Sequence, residues 1–497
     1  MSAALASFER SEQALLGLRT ALSVLAWDEQ VNMPPAGASA RGSATAALAE
    51  LYHAALCDPA LGSAIDELSA ANGHSDLVCA RVREAQRERE RAVRVPAELV
   101  RELAETESRA FESWQRARAE HDFSIFAPDL EKMVELKRTE ADAVGFGSGE
   151  RYDALLDSFE PGATVAFVEP LLTALRDELV PFAHEVLAKP RPDDSFLTGS
   201  FPIEAQKEVS RTLASSIGFD LTGGRIDIAA HPFASGFAAR DVRLTTHYFA
   251  DNLQSIWSTM HEAGHGTYEQ GLEGEITGTF CERVTSLTLH ESQSRLWENM
   301  VGRSRPFWQR TLPLLKQQFP GELHDVTVSQ IVRAINIVEP SLIRIYADEV
   351  TYHLHVLLRF ELELALMRGQ LEVADLPAAW NEKMTSLVGV MPPHDGDGVL
   401  QDVHWSAGLF GYFPTYTMGT MLSAQLWEAA GRDLGDLDAM VLAGDTTPLL
   451  NWMRTHVHQR GSTVSPAQVI RDATGEDLHH RALMRYLRLK FGELYEL

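Results

Sequence analysis

Apolar residues recur every three or four positions over most of the chain, which is the spacing of one face of an α-helix. The clearest run covers residues 75–121, which are rich in Arg, Glu and Ala and are interrupted near Pro96. A second predicted helix runs from Leu342 to Arg368 and is followed by Gly369, a residue type that commonly ends helices. Ser465-Pro466 has the residue types preferred at a helix start. The pattern predicts a mostly helical protein.

A different pattern marks a short central region. Residues 225–228 alternate between polar and apolar, and Val242 to Phe249 combines alternation with β-branched and aromatic residues. These runs predict a small sheet over about residues 224–250. Two stretches rich in Pro, Gly and Asp, residues 189–202 and 391–416, are predicted loops. The expected fold class is therefore mostly α with one minor sheet.

Composition and charge narrow the function. The 497 residues include 44 Lys and Arg against 70 Asp and Glu, a net charge of 44 − 70 = −26. Such an acidic protein repels phosphate backbones and anionic lipids, so we expect neither nucleic acid nor membrane surfaces as partners.

The three cysteines, Cys57, Cys79 and Cys281, fit no zinc-finger or disulfide pattern. The first residues resemble no signal peptide, and no apolar run of about 18 residues occurs. We expect a cytoplasmic protein.

The motif HEAGH at residues 261–265 carries candidate chemistry. On a helix, residues i and i+4 share a face, so His261 and His265 can bind one metal ion. Glu262 can reach a water that this ion activates, and neutral imidazoles with an open coordination position suit zinc. The motif also arises by chance, but a predicted helix from Ile256 to about Gln270 supports it. The predicted strand before this helix offers an edge for pairing with an extended peptide.

A third metal ligand is needed beyond these histidines. Glu269 shares their helix face but lies about 6 Å further along the axis, which is too far. A second predicted helix, about Val284 to Met300, puts Val284, Leu287, Glu291 and Arg295 on one face. An inward Glu291 is costly unless it binds a metal or is paired. We predict it as the third ligand, and an ion pair with Arg295 is the alternative.

Two further clusters remain open at this level. Arg344, Asp348, Thr351 and His355 would form a polar stripe on the predicted helix, and a solvated surface is its simplest interpretation. If the stripe faces the metal, Arg344 can hold a substrate carboxylate through two hydrogen bonds. The aromatic- and Gly-rich stretch at residues 398–416 predicts either a pocket wall or core packing.

Several motifs together resemble those of one family, the carboxypeptidase Taq family of zinc metallocarboxypeptidases, over nearly the whole chain. In chain order these are Trp27-Asp28-Glu29, Met33-Pro34, His231-Pro232-Phe233, Asp241-x-Arg243-x-Thr245, HEAGH at 261–265, His290-Glu291-Ser292-Gln293, Ile343-Arg344 with Ala347-Asp348, and Gly398 to Trp405. The two N-terminal matches are weak, whereas the last six in this order are very specific.

The resemblance implies a mostly α, gluzincin-type fold with a small sheet beside the metal helix and a long substrate groove. It implies one catalytic unit over residues 1–497, with helical halves of roughly 1–190 and 200–497 flanking the groove, and a homodimer. It further implies removal of single residues from peptide C-termini with broad specificity and little action where proline blocks the bond.

The same resemblance assigns roles to residues. It implies that His261, His265 and Glu291 bind one divalent ion per chain, zinc or alternatively cobalt. It implies that Glu262 is the general base and then the proton donor.

From the chemistry of the reaction we expect Arg344 to hold the terminal carboxylate. We expect His404 or Tyr412 to donate to the developing oxyanion. Asp241, Arg243 and Thr245 are either structural or support the residues that contact the metal or the substrate.

Three alternatives stay open. An oligopeptidase that cuts internal bonds would have the same metal site, and it would also cleave a C-terminally amidated peptide. A non-enzymatic helical scaffold would hold no stoichiometric metal. A structural zinc site would have four protein ligands, and Cys281 is the one cysteine near the motif.

Overall fold

Helices dominate the computed structural model, which describes residues 2–497. Its twenty-one α-helices are α1 (Ala3–Val31), α2 (Ala38–Cys57), α3 (Pro59–Ala70), α4 (Asp76–Arg94), α5 (Ala97–Glu120), α6 (Ala127–Val144), α7 (Arg151–Leu156), α8 (Val165–Leu187), α9 (Ile203–Ser216), α10 (Gln254–Glu269), α11 (Leu287–Arg295), α12 (Arg305–Gln318), α13 (Pro320–Leu323), α14 (Val328–Ala334), α15 (Tyr352–Arg368), α16 (Leu376–Lys383), α17 (Pro414–Leu434), α18 (Leu437–Ala443), α19 (Thr447–His456), α20 (Pro466–Thr474) and α21 (Arg481–Tyr495). Across residues 2–497, no helix is both long and apolar enough to span a membrane.

Local sequence signals place several of these helices correctly. The run at residues 75–121 forms α4 and α5, and the break falls at Pro96, whose ring cannot continue a helix. Helix α20 begins at Pro466, and the Ser465 hydroxyl accepts a hydrogen bond from the Gln468 backbone N–H. The predicted mostly helical fold class is confirmed.

The small sheet has three strands, β1 (Gly224–Ile228), β2 (Ala234–Ala238) and β3 (Asp241–Thr246), in the order β1-β3-β2. Strand β3 pairs parallel with β1 and antiparallel with β2. The sheet is confirmed, but the predicted strand ends at Thr246. Because β3 is the middle strand, the prediction that its own edge is free for a peptide is wrong. The edges belong to β1 and β2.

The helix predicted to start at Leu342 begins ten residues later, at Tyr352. The Asp348 carboxylate accepts hydrogen bonds from the backbone N–H groups of Val350 and Thr351, at 2.8 and 2.9 Å, which holds a turn there. Arg344 and Asp348 therefore precede the helix, and the predicted stripe with His355 on one helical face is wrong. The predicted end is confirmed, because Gly369 follows Arg368 with φ of 70°.

Two hydrophobic cores support the site. A small core joins α1–α4 and includes Phe8, Leu15 and Ile65, with Phe280 packed into it. The large core extends from α4 to α21 and surrounds α10, α11, α15 and α17. The division of the chain near residues 190–200 stays a prediction.

Candidate metal centre

Helices α10 and α11 bring the candidate metal ligands together. The HEAGH motif lies on α10, and Glu291 lies on α11. The two helices are in close contact at Gly264, where an added Cβ would lie 2.7 Å from Ser294 Cα and 2.8 Å from the Gln293 carbonyl oxygen. Only a glycine permits this contact, so the fourth residue of the motif determines how near α11 can come.

The three predicted ligands converge. Glu291 Oε2 lies 3.5 Å from Nε2 of His261 and 3.5 Å from Nε2 of His265. All three donor atoms lie within 4.8 Å of one another, and no other set of this kind occurs within residues 2–497. Glu269, rejected because of its distance along the helix, instead places Oε1 3.2 Å from His290 Nε2.

Glu291 also forms the ion pair that was the alternative. Arg295 Nε donates to Glu291 Oε1 at 2.7 Å, whereas Oε2 faces the histidines and accepts from the Ser294 hydroxyl at 2.9 Å. The two carboxylate oxygens thus have different partners. The ion pair orients Glu291 and leaves Oε2 directed at the donor set.

The helix that carries Glu291 differs from the predicted one. It begins at Leu287, and the Ser286 hydroxyl accepts from the Leu289 backbone N–H at 3.2 Å. Val284 lies outside the helix, so its place on the predicted face is wrong. Beyond Arg295 the backbone continues as a π-helical turn, Leu296–Val301.

That π-helical turn contributes a residue that sequence reasoning missed. Glu298 Oε2 accepts a hydrogen bond from His261 Nδ1 at 2.9 Å, and Arg303 donates to Glu298 Oε1 at 3.1 Å. Bonding at Nδ1 directs Nε2 of His261 toward the donor set. The sequence did contain a signal for this contact: Glu291 and Glu298 are seven residues apart, a spacing that places both on one face of a helix.

Protonation of these groups fits a divalent cation. Burial, aided by the charge of His290, lowers the pKa of His265 to about 3, so its imidazole is neutral. Burial opposes ionisation of Glu291, but Arg295 and His261 hold its pKa well below the usual range. Two imidazoles and one anionic carboxylate form a donor set suited to zinc-like ions.

His261 and Glu262 respond to the same negative charge. Burial lowers the pKa of His261, but Glu291 and Glu298 outweigh it and raise that pKa, so the site favours a positive charge at this imidazole. Burial raises the pKa of Glu262 to about 7, with the charge of Glu291 adding and that of His261 opposing. A carboxyl group with this pKa both accepts and releases a proton near neutral pH.

Arg344 is buried, at 5% exposure, so the solvated-surface interpretation is wrong. Its Nε and Nη2 donate to Asp402 Oδ1 at 3.0 and 2.8 Å, and Nη1 donates to the Tyr352 hydroxyl at 3.1 Å. The Tyr352 ring also lies 4.5 Å from the Arg295 guanidinium. Tyr352 therefore links Arg344 to the ion pair beside the donor set.

A second guanidinium shares the same carboxylate. Arg359 Nε donates to Asp402 Oδ2 at 2.6 Å, and Arg359 is fully buried. Burial lowers the pKa of His355 and that of His404 to about 3, so both are neutral. The two arginines therefore share one aspartate in this buried cluster.

His404 and Tyr412 join Arg344 around the ring of Tyr416. The Tyr416 ring centroid lies 5.0 Å from the Arg344 guanidinium, 6.1 Å from the His404 ring and 5.3 Å from the Tyr412 ring. The Tyr416 hydroxyl lies 3.2 Å from His404 Nε2. Burial, with the charge of Glu291 adding, raises the pKa of Tyr412. The three predicted substrate-binding residues thus form one cluster.

The Asp241, Arg243 and Thr245 side chains contact other protein groups. Arg243 donates twice to Asp241 at 2.9 Å and stacks on Trp27, 4.4 Å from the ring centroid. The Thr245 hydroxyl accepts from the Phe233 backbone N–H at 2.8 Å. These contacts favour the structural role.

Comparisons with known proteins agree with one another. The sequence model of the family described as carboxypeptidase Taq (M32) metallopeptidase matches residues 7–491. Thermostable carboxypeptidase 1 of Thermus thermophilus is 42% identical, with 99% of this chain and 98% of that protein covered. Carboxypeptidase 1 of Bacillus subtilis is 37% identical, with 96% and 95% covered.

Solved structures match equally well. The M32 carboxypeptidase from Deinococcus radiodurans superposes with a TM-score of 0.97 at 36% identity over the full length of both chains. The carboxypeptidase of Pyrococcus furiosus gives a TM-score of 0.96 at 35% identity, with 99% of each chain covered.

Proposed function

Because the chain belongs to the carboxypeptidase Taq (M32) family and is a metallocarboxypeptidase that uses a divalent metal ion on peptide substrates, we propose that it removes single residues from peptide C-termini in a zinc-dependent reaction. We further propose broad specificity, with poor cleavage where proline forms the bond. The resemblance of the motifs to those of the family supports the removal of single residues, the use of zinc and the specificity.

His261, His265 and Glu291 are proposed to hold one ion, zinc rather than cobalt. When bound there, a divalent ion polarises the scissile carbonyl and lowers the pKa of a water molecule. Glu298 orients His261, and Arg295 orients Glu291, so both ligands are held before the ion arrives.

Glu262 is proposed to transfer the proton. Its carboxylate removes a proton from the attacking water and then delivers it to the leaving amine. Burial raises the pKa of Glu262, which makes its carboxylate a stronger base toward the water than an exposed one would be.

One observation carries the exopeptidase assignment: the buried guanidinium of Arg344, which has to share the Asp402 carboxylate with Arg359. A buried charge needs a counter-charge. The terminal carboxylate of a peptide supplies it, with Arg344 as the contact residue because Arg359 is fully buried. An internal peptide bond has no such group to offer.

His404 and Tyr412 are proposed donors to the oxyanion that forms at the scissile carbonyl. The raised pKa of Tyr412 keeps its hydroxyl protonated, and His404 is neutral with one ring N–H. Both groups can therefore donate a hydrogen bond at neutral pH.

The decisive experiment is a time course with an unblocked peptide and the zinc-loaded enzyme, followed by mass spectrometry. We expect successive loss of single C-terminal residues, absent in Glu262→Gln and retained in the control Glu204→Gln, which changes an exposed carboxylate on α9. A C-terminally amidated peptide should be cleaved poorly. Internal fragments would favour an oligopeptidase, and no cleavage with either zinc or cobalt would contradict the proposal.

A homodimer and a cytoplasmic location are proposed with it. The family resemblance supports the dimer, and the three free cysteines fit a reducing compartment. Light scattering should give twice the mass of one chain.

A further inference from the structure

An irregular segment, residues 398–413, carries both proposed oxyanion donors. It contains neither helix nor strand, so the repeating hydrogen bonds of those elements do not hold it. Yet His404 is buried and Tyr412 half-buried. Backbone hydrogen bonds within the segment, such as that from the Leu409 N–H to the His404 carbonyl at 2.9 Å, hold its local turns, and contacts from neighbouring elements fix where those turns lie.

One buried carboxylate supplies such contacts. Glu363 on α15 is 0% exposed. Its Oε1 accepts a hydrogen bond from Trp405 Nε1 at 2.8 Å, and its Oε2 accepts from the Gly411 backbone N–H at 3.0 Å. The Tyr152 hydroxyl on α7 donates to the same Oε2 at 2.6 Å. Glu363 thus ties both ends of the turn between Trp405 and Gly411 to two helices.

The two tied residues are the immediate neighbours of the proposed donors. Trp405 follows His404, and Gly411 precedes Tyr412, whose ring lies 5.3 Å from that of His404. Gly411 also lies directly against α7, because an added Cβ would be 2.8 Å from the Leu155 carbonyl carbon. The segment therefore has little freedom once Glu363 is bonded.

We infer that Glu363 is a positioning residue of the peptidase reaction: by holding Trp405 and Gly411, its carboxylate sets where His404 and Tyr412 meet the substrate carbonyl. The inference rests on the proposed function, in which those two residues contact the substrate. Glu363 itself contacts neither substrate nor metal.

A carboxylate is the group that fits this place. Burial raises the pKa of Glu363 to about 7, but the three neighbours are donors whose hydrogen bonds favour the ionised form, and a carboxylate presents only acceptors. In Glu363→Gln the side-chain NH₂ would face either Trp405 Nε1 or the pair formed by Gly411 N–H and the Tyr152 hydroxyl. At least one contact would be lost although size and shape are kept.

The test is steady-state kinetics of Glu363→Gln on an unblocked peptide. We expect kcat/KM to fall about tenfold or more, since a small misplacement of reacting groups has effects of this size. Bound zinc should stay at one per chain. In a background that lacks both proposed donors, His404→Ala with Tyr412→Phe, the same substitution should change kcat/KM by less than about twofold, because residues that act through one another are not additive.

Two further variants serve as a control and as a second test. Glu12→Gln changes another buried carboxylate, which is paired with Arg81 beside the small core of α1–α4, and should leave kcat/KM within about twofold. Tyr152→Phe removes one of the three donors and should lower kcat/KM by about two- to fivefold. If Glu363→Gln does not fold, Tyr152→Phe tests the positioning role instead.

Two outcomes would overturn the inference. One is a folded Glu363→Gln enzyme with wild-type kcat/KM. If Glu363→Gln does not fold, the corresponding outcome is a Tyr152→Phe enzyme with wild-type kcat/KM. The other is a loss that simply adds to that of the variant that lacks both donors, His404→Ala with Tyr412→Phe. If the wild-type enzyme itself released no C-terminal residues, the proposed function would be wrong. The wild-type kinetics therefore distinguish a failure of the proposed function from a failure of the positioning role.

Discussion

At the scale of single residues, the site depends on side chains that serve two partners at once. Glu291 directs one oxygen at Arg295 and the other at the histidines. Asp402 likewise accepts from Arg344 with one oxygen and from Arg359 with the other. Removing one partner therefore disturbs the second, and substitutions at these positions should report on geometry as well as on charge.

Replacing Arg344 should reveal the terminal carboxylate. In Arg344→Lys the charge remains, but the planar fork that binds Asp402 and a substrate carboxylate is lost. We expect KM for a peptide with a free C-terminus to rise about tenfold or more. The slow cleavage of the matching amidated peptide should change little. An equal change for both peptides would contradict the assignment.

Removing the partner of His261 should weaken metal binding. Glu298→Ala deletes the acceptor for Nδ1, and loss of such an acceptor typically lowers metal affinity about 10- to 100-fold. Glu298→Gln keeps an acceptor oxygen and should show a smaller loss. Competition with a fluorescent zinc chelator measures both affinities. Equal affinity of Glu298→Ala and the wild type would show that Glu298 does not orient the ligand.

At the scale of elements, the distance between α10 and α11 decides whether three ligands can meet. Gly264→Ala would place a methyl group 2.7 Å from Ser294 Cα and push the helices apart. We expect a loss of roughly 1–3 kcal/mol in the free energy of unfolding and weaker zinc binding. Thermal unfolding with and without zinc checks this.

A control glycine lies in α21. Gly492 has open space around it, so Gly492→Ala should leave zinc binding unchanged and stabilise the helix by about 0.4–1 kcal/mol. If Gly264→Ala behaved like Gly492→Ala, the close approach of α10 and α11 would not limit the site.

The start of α11 predicts a dependence of stability on pH. Glu160 is 5% exposed, and burial raises its pKa to about 7, although hydrogen bonds from Thr288 and Ser286 oppose the shift. A folded pKa above the unfolded value of 4.5 means that the folded state binds the proton more tightly. The contribution of Glu160 to stability is therefore favourable at low pH and is lost as pH rises from about 4.5 to 7.

Glu160→Gln should remove this dependence. Its amide oxygen can still accept from the Thr288 backbone N–H, but no charge has to be buried. Relative to the wild type, we expect little change at pH 5 and a gain on the order of 3 kcal/mol in the free energy of unfolding at pH 8. Urea unfolding at the two pH values measures it. A gain of equal size at both would exclude the titration as its cause.

At the scale of the whole molecule, a bound ion should stabilise the fold. Helices α10 and α11 both belong to the large core, and an ion held by His261, His265 and Glu291 would link them and offset the repulsion between the charges of Glu291 and Glu262. Zinc at 1,000 times its dissociation constant would add about 4 kcal/mol to the free energy of unfolding.

Calorimetry after chelation tests this. The unfolding temperature should fall on metal removal and recover on zinc addition. In His265→Ala the temperature should no longer respond to zinc. A wild-type unfolding temperature independent of metal would contradict the predicted site.

Features encoded in neighbouring residues were predictable from the sequence by itself. Helices α4, α5, α10 and α20 follow from helical spacing and from Pro96, Ser465 and Pro466. The motif HEAGH placed His261 and His265 one turn apart, because helix geometry fixes the relation between residues four apart.

Features that depend on segments far apart in the chain were decided by the tertiary structure. Arg344 is held by Asp402 rather than by a helix of its own, and α15 begins only at Tyr352, after the turn that Asp348 holds. The position of β3 between two strands, the contact of Glu298 with His261 and the hold of Glu363 on Gly411 are of the same kind. The physical reason is that spacing and capping act within a few residues, whereas the partner of a buried charge or a strand edge is chosen by packing of the whole chain.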